Sequence, residues 1–251
     1  MLMMDQNTSR PDLKDIPTPE PTKTWRPVSH YALAQALIVE AQNLGLKLHE
    51  EAWRVEDGAM YPKPGEKVVV PGARLYGTLD FEAPDEMDRT IVPSIGIIHA
   101  NDQSAPMTVF FGAHVMICEN GVRTGEFTYK RKHTSGLDID HIVETVFARM
   151  KDETARVQMV HRRMQGLPLT TDQADLLAVK SARAGAFSSS QILQVVREFD
   201  CPSYEDFGKM PRSLWRFYNA STHIMKKQSV GRQGEAFEAL NKTTFPLIKA
   251  A

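Results

Sequence analysis

The chain has 251 residues, a formal charge of −1, 42% hydrophobic and 24% charged residues, enough for a buried core in one large or two modest domains. That balance excludes a histone-like coat for duplex DNA, and no apolar run nears the ~20 residues that span a bilayer. Two distant cysteines, Cys118 and Cys201, make no disulfide framework, which fits a reducing cytoplasm.

Residues 1–28 hold Pro11, Pro17, Pro19, Pro21 and Pro27 among polar residues and read as a mobile, extended arm. Ser29 is placed to cap a helix in which Leu33, Leu37, Ile38, Ala41 and Leu44 recur at helical spacing, and Gly45 supplies its stop. From Leu46 to Tyr129 the period becomes two, predicting strands Lys47–Val55, Lys67–Phe81, Ile91–Ala100, Met107–Cys118 and Val122–Lys130. The breaks are short: Gly58, Pro62-Lys63-Pro64-Gly65, Pro71-Gly72, Pro84-Asp85, Asn101-Asp102 and the hairpin signal Asn120-Gly121. Short breaks predict an antiparallel meander, because parallel neighbours need crossovers of about a dozen residues. Asp80, Glu82, Asp85, Glu86 and Asp88 read as a solvated acidic loop.

Asp138 opens the clearest helix, with Ile139, Ile142, Val143, Val146, Phe147 and Met150 on one face, extended by Val157, Val160 and Met164. Asp138 and Asp140 suit its positive end, Arg162 and Arg163 its negative end. After Gly166-Leu167-Pro168, three shorter helices are predicted at Thr171–Lys180, Ser190–Phe199 and Pro211–Lys227. The expected fold class is α+β: an arm (1–28), a core (29–165) with a meander of about five strands between a first and a long second helix, and a helical region (166–251) packed on it.

Chemistry-bearing patterns are sparse. His114 and Cys118, four apart on a strand, would stand about 13 Å apart and cannot chelate one ion as neighbours. His99 and His133 could join them only through the fold, and no Cys-x-x-Cys or His-Glu-x-x-His spacing exists. Cys118 follows Val115-Met116-Ile117, where an inert buried thiol is expected, and neither a Gly-x-Ser-x-Gly elbow nor a phosphate loop is present. Helix capping explains Asp138 and Asp140 without Mg²⁺. No catalytic residue, metal or cofactor is expected.

Charge segregation is more informative. Between Phe207 and Gly234 stand Lys209, Arg212, Arg216, Lys226, Lys227 and Arg232 with Phe207, Trp215, Phe217 and Tyr218, and no carboxylate. Arg212 and Arg216 are i and i+4 neighbours on a helix. Rings at this spacing are also ordinary core, the expected fate of Trp215 and Phe217, whereas Tyr218 and Asn219 are expected to be reachable. A second group, Arg123, Lys130, Arg131, Lys132 and His133, follows one hairpin arm and its exit; it fits a phosphate-contacting edge or a charged edge that resists strand pairing.

The order of short motifs resembles that of domain-of-unknown-function family 932, the phage/plasmid-like proteins. They are Arg74-Leu75-Tyr76-Gly77, Asn101-Asp102-Gln103-Ser104, Gly112, Cys118-Glu119-Asn120 and Lys132-His133-Thr134. Trp215, Tyr218-Asn219 and Thr222 complete the set, which spans roughly residues 25–230; Gln103 departs from the glycine-bearing form of its turn. The resemblance implies genes carried on phages, prophages and plasmids, near replication and recombination functions in a bacterial cytoplasm. The order of elements is also similar to single-strand annealing proteins, an analogy of fold order alone.

Together these readings predict a single-stranded DNA-binding protein, with strand annealing as an oligomeric extension. Phosphate contacts are expected from Arg123, Lys130, Arg131, Lys132, Arg212 and Arg216, and base stacking from Tyr218. The alternatives are a phage protein that binds and inhibits a host defence factor, and a metal-dependent hydrolase assembled by folding. The expected partners are single-stranded nucleic acid, further copies of the chain and a host protein, with no membrane.

Overall fold

The computed structural model describes residues 8–61, 65–82, 91–115, 120–134 and 136–250, with the backbone alone at 114, 115, 120–127, 151, 230, 231 and 250. Pro62-Lys63-Pro64, Pro84-Asp85, Glu86, Asp88, Cys118 and Glu119 lie outside these residues. Helix α1 (His30–Asn43) starts where Ser29 accepts a hydrogen bond from the Ala32 N–H at 3.3 Å and ends before Gly45, whose φ of +71° suits a residue without a side chain. Strands β1 (Leu48–Met60), β2 (Val68–Phe81), β3 (Ile91–Ala100), β4 (Met107–Val115) and β5 (Asn120–Arg131) form one antiparallel sheet in chain order.

Asp138 caps α2 (Ile139–Gly166), accepting from the Asp140 N–H at 3.0 Å. Then come α3 (Thr171–Ala184), α4 (Ile192–Asp200), α5 (Glu205–Lys209), α6 (Leu214–Met225) and α7 (Val230–Ala250). The fold is α+β. Helices α5 and α7 are additions to the sequence reading. Gly231, Gly234 and Pro246 argue against α7, but burial of Ala236, Phe237, Leu240 and Ile248 outweighs that propensity. Among the described residues no helix is long and apolar enough to cross a membrane.

Alternation along the strands sorts the sheet into two faces. One face, with Trp53, Leu75, Leu79, Ile95, Ile97, Val109 and Phe111, packs on α1 and on the first half of α2. At one end of that face, Ile91 and Ala113 join the second core, built from the rest of α2 and helices α3 to α7. The opposite face carries Tyr76, Thr78, Asp80, Ser94, Ile98 and Phe110. Asp80 therefore departs from the predicted acidic loop: it lies in β2, is 2% exposed, and accepts a hydrogen bond from its cross-strand neighbour Ser94.

Two further departures involve the chain ends of the sheet. The arm expected to be mobile is docked from Thr8 to Val28: Leu13 is buried, the Thr8 N–H meets the Trp53 carbonyl, and Arg10 reaches Glu51 and Gln35. Pro71-Gly72, read as a break, is a bulge inside β2, where the register with β1 shifts between Glu56 and Gly58. Gly72 has φ +60°, and the Asp57 carboxylate accepts its N–H at 2.8 Å.

Gly96 is the tightest point of the polar face, because the Phe110 ring covers it and an added Cβ would stand 2.2 Å from that ring. Gly96→Ala is expected to lower stability by about 1–3 kcal/mol, the usual cost of overpacking, measured as a reduced urea midpoint. An unchanged midpoint would show that Phe110 moves aside freely.

Candidate functional site

Antiparallel pairing brings the start of β2, the end of β3 and the end of β5 to one end of the sheet. Three of the sequence motifs, widely separated along the chain, meet there. Asn101 and Asp102, directly after β3, are both buried and hold different segments. The Asn101 amide accepts the Val28 N–H at 3.1 Å and donates to the Val28 carbonyl at 2.7 Å, docking the arm as a neighbouring strand would. The Asp102 carboxylate accepts from the Ala59 N–H at 3.2 Å, the Arg74 Nε at 2.8 Å, and the N–H and hydroxyl of Ser104. Burial opposes its ionisation, yet Ser104 and Arg74 together hold its carboxyl below the ordinary range. Gln103 completes the turn at φ +64°, the left-handed conformation that glycine takes without strain.

Three histidines fill the space beneath. His30 Nε2 donates to the Gly72 carbonyl at 2.8 Å, so in the neutral ring its Nδ1 accepts from His99 Nδ1 at 2.7 Å. The His99 ring stacks on His133 at 4.8 Å and 21°, and His133 Nδ1 donates to the Arg26 carbonyl at 3.2 Å. This pattern leaves Nε2 of His99 and of His133 as buried lone pairs without hydrogen-bond partners among the described residues. Desolvation lowers all three pKa values, to about 4 for His30. Among the described residues no group of three or more His, Cys, Asp or Glu has the geometry to hold a metal ion. The cluster works as a neutral, hydrogen-bonded plug between arm, sheet and bulge.

Around this plug lie the cations of the β5 edge. Lys130, Arg131 and Lys132 are exposed, and among the described residues Arg131 makes only a long 3.5 Å contact to the Gly136 carbonyl. Lys130 belongs to a row of directly paired residues, Arg54, Tyr76, Ile98, Thr108 and Lys130, that crosses all five strands on the polar face. Arg54 in that row is paired with Glu56 at 3.0 Å and Arg74 is engaged by Asp102, whereas Lys130, Arg131 and Lys132 have no carboxylate partner among the described residues. Arg123 pairs with Gly112 toward the other end of β5; its backbone is described and its side chain is not.

The second basic group is not part of this surface. Arg216 is 7% exposed and donates to the carbonyls of Phe199 (2.8 Å), Asp200 (2.9 Å) and Met210 (3.2 Å). It caps the negative end of α4 and is unavailable to phosphate. Arg212 binds Asp200 and Thr171 and lies over the Phe199 ring at 4.7 Å. Tyr218, expected to stack on bases, is fully buried, donates to the Asn241 side chain at 2.9 Å and lies parallel to Trp215. Asn219, also expected to be reachable, is buried as well. The aromatic motif of α6 is core. Sequence reasoning missed the plug because its members lie 69 and 34 positions apart, on three elements that only the meander brings together.

The surface also carries two clefts. One of about 690 Å³ opens between the starts of α1 and α2, but Asp138 and Asp140 line it beside Arg26 and oppose an anion there. The other, of about 570 Å³, holds Cys201, His223, Glu198 and Lys227. Glu198 is engaged by Ser203 at 2.7 Å, and no hydrogen bond among the described residues joins the Cys201 thiol to His223, so no activated nucleophile is formed. Among known protein families, the profile described as "Domain of unknown function (DUF932)" matches residues 47–244. No curated protein and no solved structure matches.

Because the folded-state pKa values of His30, His99 and His133 lie below the unfolded value of about 6.5, the unfolded chain takes up protons first as pH falls. Stability is therefore expected to be complete above about pH 6.5 and to decline toward about pH 4. Urea midpoints at about pH 7.5 and about pH 5 check this, and equal values would mean that the plug accepts protons without cost. Arg216→Met is expected to cost about 2–4 kcal/mol through the carbonyls it leaves unpaired, against about 0.5 kcal/mol or less for Lys130→Ala. Similar small losses for both would remove the capping role.

Proposed function

The chain belongs to the DUF932 family, and we propose that it binds single-stranded nucleic acid at the sheet end where Lys130, Arg131 and Lys132 emerge. The carrying observation is that these three consecutive cations are exposed, with no carboxylate paired to them among the described residues. Because consecutive strand residues point to opposite faces, the run presents charge on both sides of the edge, suiting a flexible backbone that wraps it. The near-neutral molecule confines the attraction to that edge, which fits a site of a few nucleotides and not a continuous coat. Strand annealing by an oligomer, in a mobile-element context, is the extension of this reading; its support is an order of helix, meander and long helix similar to annealing proteins. Of the six phosphate contacts expected from sequence, the reading keeps Lys130, Arg131 and Lys132, and gives Arg212 and Arg216 a structural role.

The test is fluorescence anisotropy with single- and double-stranded oligonucleotides at two salt concentrations, together with mass in solution. The single strand is expected to bind more tightly, with an affinity that falls as salt rises. Replacing Arg131 and Lys132 with glutamate should weaken binding by at least about ten-fold at low salt while leaving the urea midpoint within about 0.5 kcal/mol of wild type. Equal affinity of the variant would discard the edge as the site.

A further inference from the structure

Beyond Arg74, β2 leaves β3 and pairs with β1 alone, as Gly58 with Val70, Ala59 with Val69 and Met60 with Val68. This two-stranded ribbon projects from the same end of the sheet at which Lys130–Lys132 emerge, because Met107 pairs with Arg131 where β3 ends. Its far part is exposed: Tyr61 is 68% and Val69 57% exposed, with Val68, Glu66 and Lys67 also open to water. A free ribbon of this kind would sample many directions, but its base is fixed. The Asp102 carboxylate ties Ala59 to Arg74, and Gly58 allows Asp102 to approach so closely that a Cβ there would stand 2.2 Å from it. The bulge at Gly72 is held in turn by Asp57 and by His30. An exposed ring on a braced support is therefore set about 23 Å along the strands and about 19 Å across the sheet from Lys130, roughly 30 Å in all.

We infer that Tyr61 is a base-stacking platform for the single strand whose phosphates lie along Lys130–Lys132. This rests on the nucleic-acid reading above and adds the part of the ligand that the lysines cannot hold. Cations fix the backbone and leave the bases unattended, whereas an exposed ring offers a face to any base without selecting a sequence. Glu66 and Lys67 balance each other on the ribbon, so the preference for a nucleic-acid strand over an apolar protein segment comes from the β5 edge cations, which hold a strand long enough to reach Tyr61. Val68 and Val69 provide apolar surface beside the stacked base.

The experiment uses the full chain and oligothymidylate of roughly 16 nucleotides, the upper range of a single-strand site. Tyr61→Ala is expected to reduce affinity about ten-fold with an unchanged salt slope, since stacking releases no counterions. Tyr61→Trp should keep the affinity and lose fluorescence on binding, read as the difference from a wild-type titration because the buried Trp25, Trp53 and Trp215 also emit. Tyr61 being exposed, both variants keep the wild-type urea midpoint. Wild-type affinity in Tyr61→Ala, with the Arg131 and Lys132 charge reversals still damaging, overturns the platform and leaves the edge site standing. Absence of oligonucleotide binding by the wild type overturns both.

Discussion

Two adjacent side chains, Asn101 and Asp102, decide how the sheet end is assembled. Both are buried, and a buried amide or carboxylate is tolerable only when its hydrogen bonds are made. Asn101 meets that demand with the backbone of Val28, and Asp102 with Ala59, Arg74 and Ser104. Each satisfied bond fixes a different segment, so the arm, the ribbon and the loop after β3 are positioned by one dipeptide. The histidine plug lies against the same arm and bulge, and its tautomers follow from the carbonyls of Gly72 and Arg26. Low polarity around these groups strengthens the bonds while they are complete and makes any vacancy costly.

The same physics divides the arginines and lysines into two populations. Arg216 gives its planar donors to carbonyls at the end of α4, where the helix leaves acceptors without partners. Its charge is consumed by the fold. Lys130, at the end of the outer strand β5, and Lys132, just beyond it, meet no such acceptors among the described residues, so their charge faces water. A stretch can be rich in cations and rings and still be interior, as residues 207–234 demonstrate.

Legibility in the sequence followed the range of the forces involved. Ser29, Gly45 and Asp138 mark helix ends through local bonds, and they were readable because each acts within a few residues. The strands were readable because one apolar face imposes a period of two, and short breaks implied antiparallel neighbours. Pro71-Gly72 misled, since the composition of a bulge and of a turn is the same. Helix α7 was hidden by its glycines and proline, and Tyr218 by a hydroxyl whose buried partner, Asn241, lies on that unread helix. The histidine plug and the bonds of Asn101 and Asp102 needed three-dimensional proximity between side chains and distant backbone groups, which no spacing encodes. The open cations at Lys130–Lys132 were found because an edge strand needs no distant partner to remain exposed.

The docking of Val28 onto Asn101 spans 73 positions, and that of Arg26 onto His133 spans 107. The near half of the arm finds its partners once α1 and β1 are formed, since Thr8 and Arg10 meet Trp53, Gln35 and Glu51. Val28 and Arg26, by contrast, meet these hydrogen-bond partners only after Asn101 and His133 have left the ribosome. Closing so large a loop costs entropy, which makes the anchoring of Arg26 and Val28 a late step of maturation, after the meander is complete.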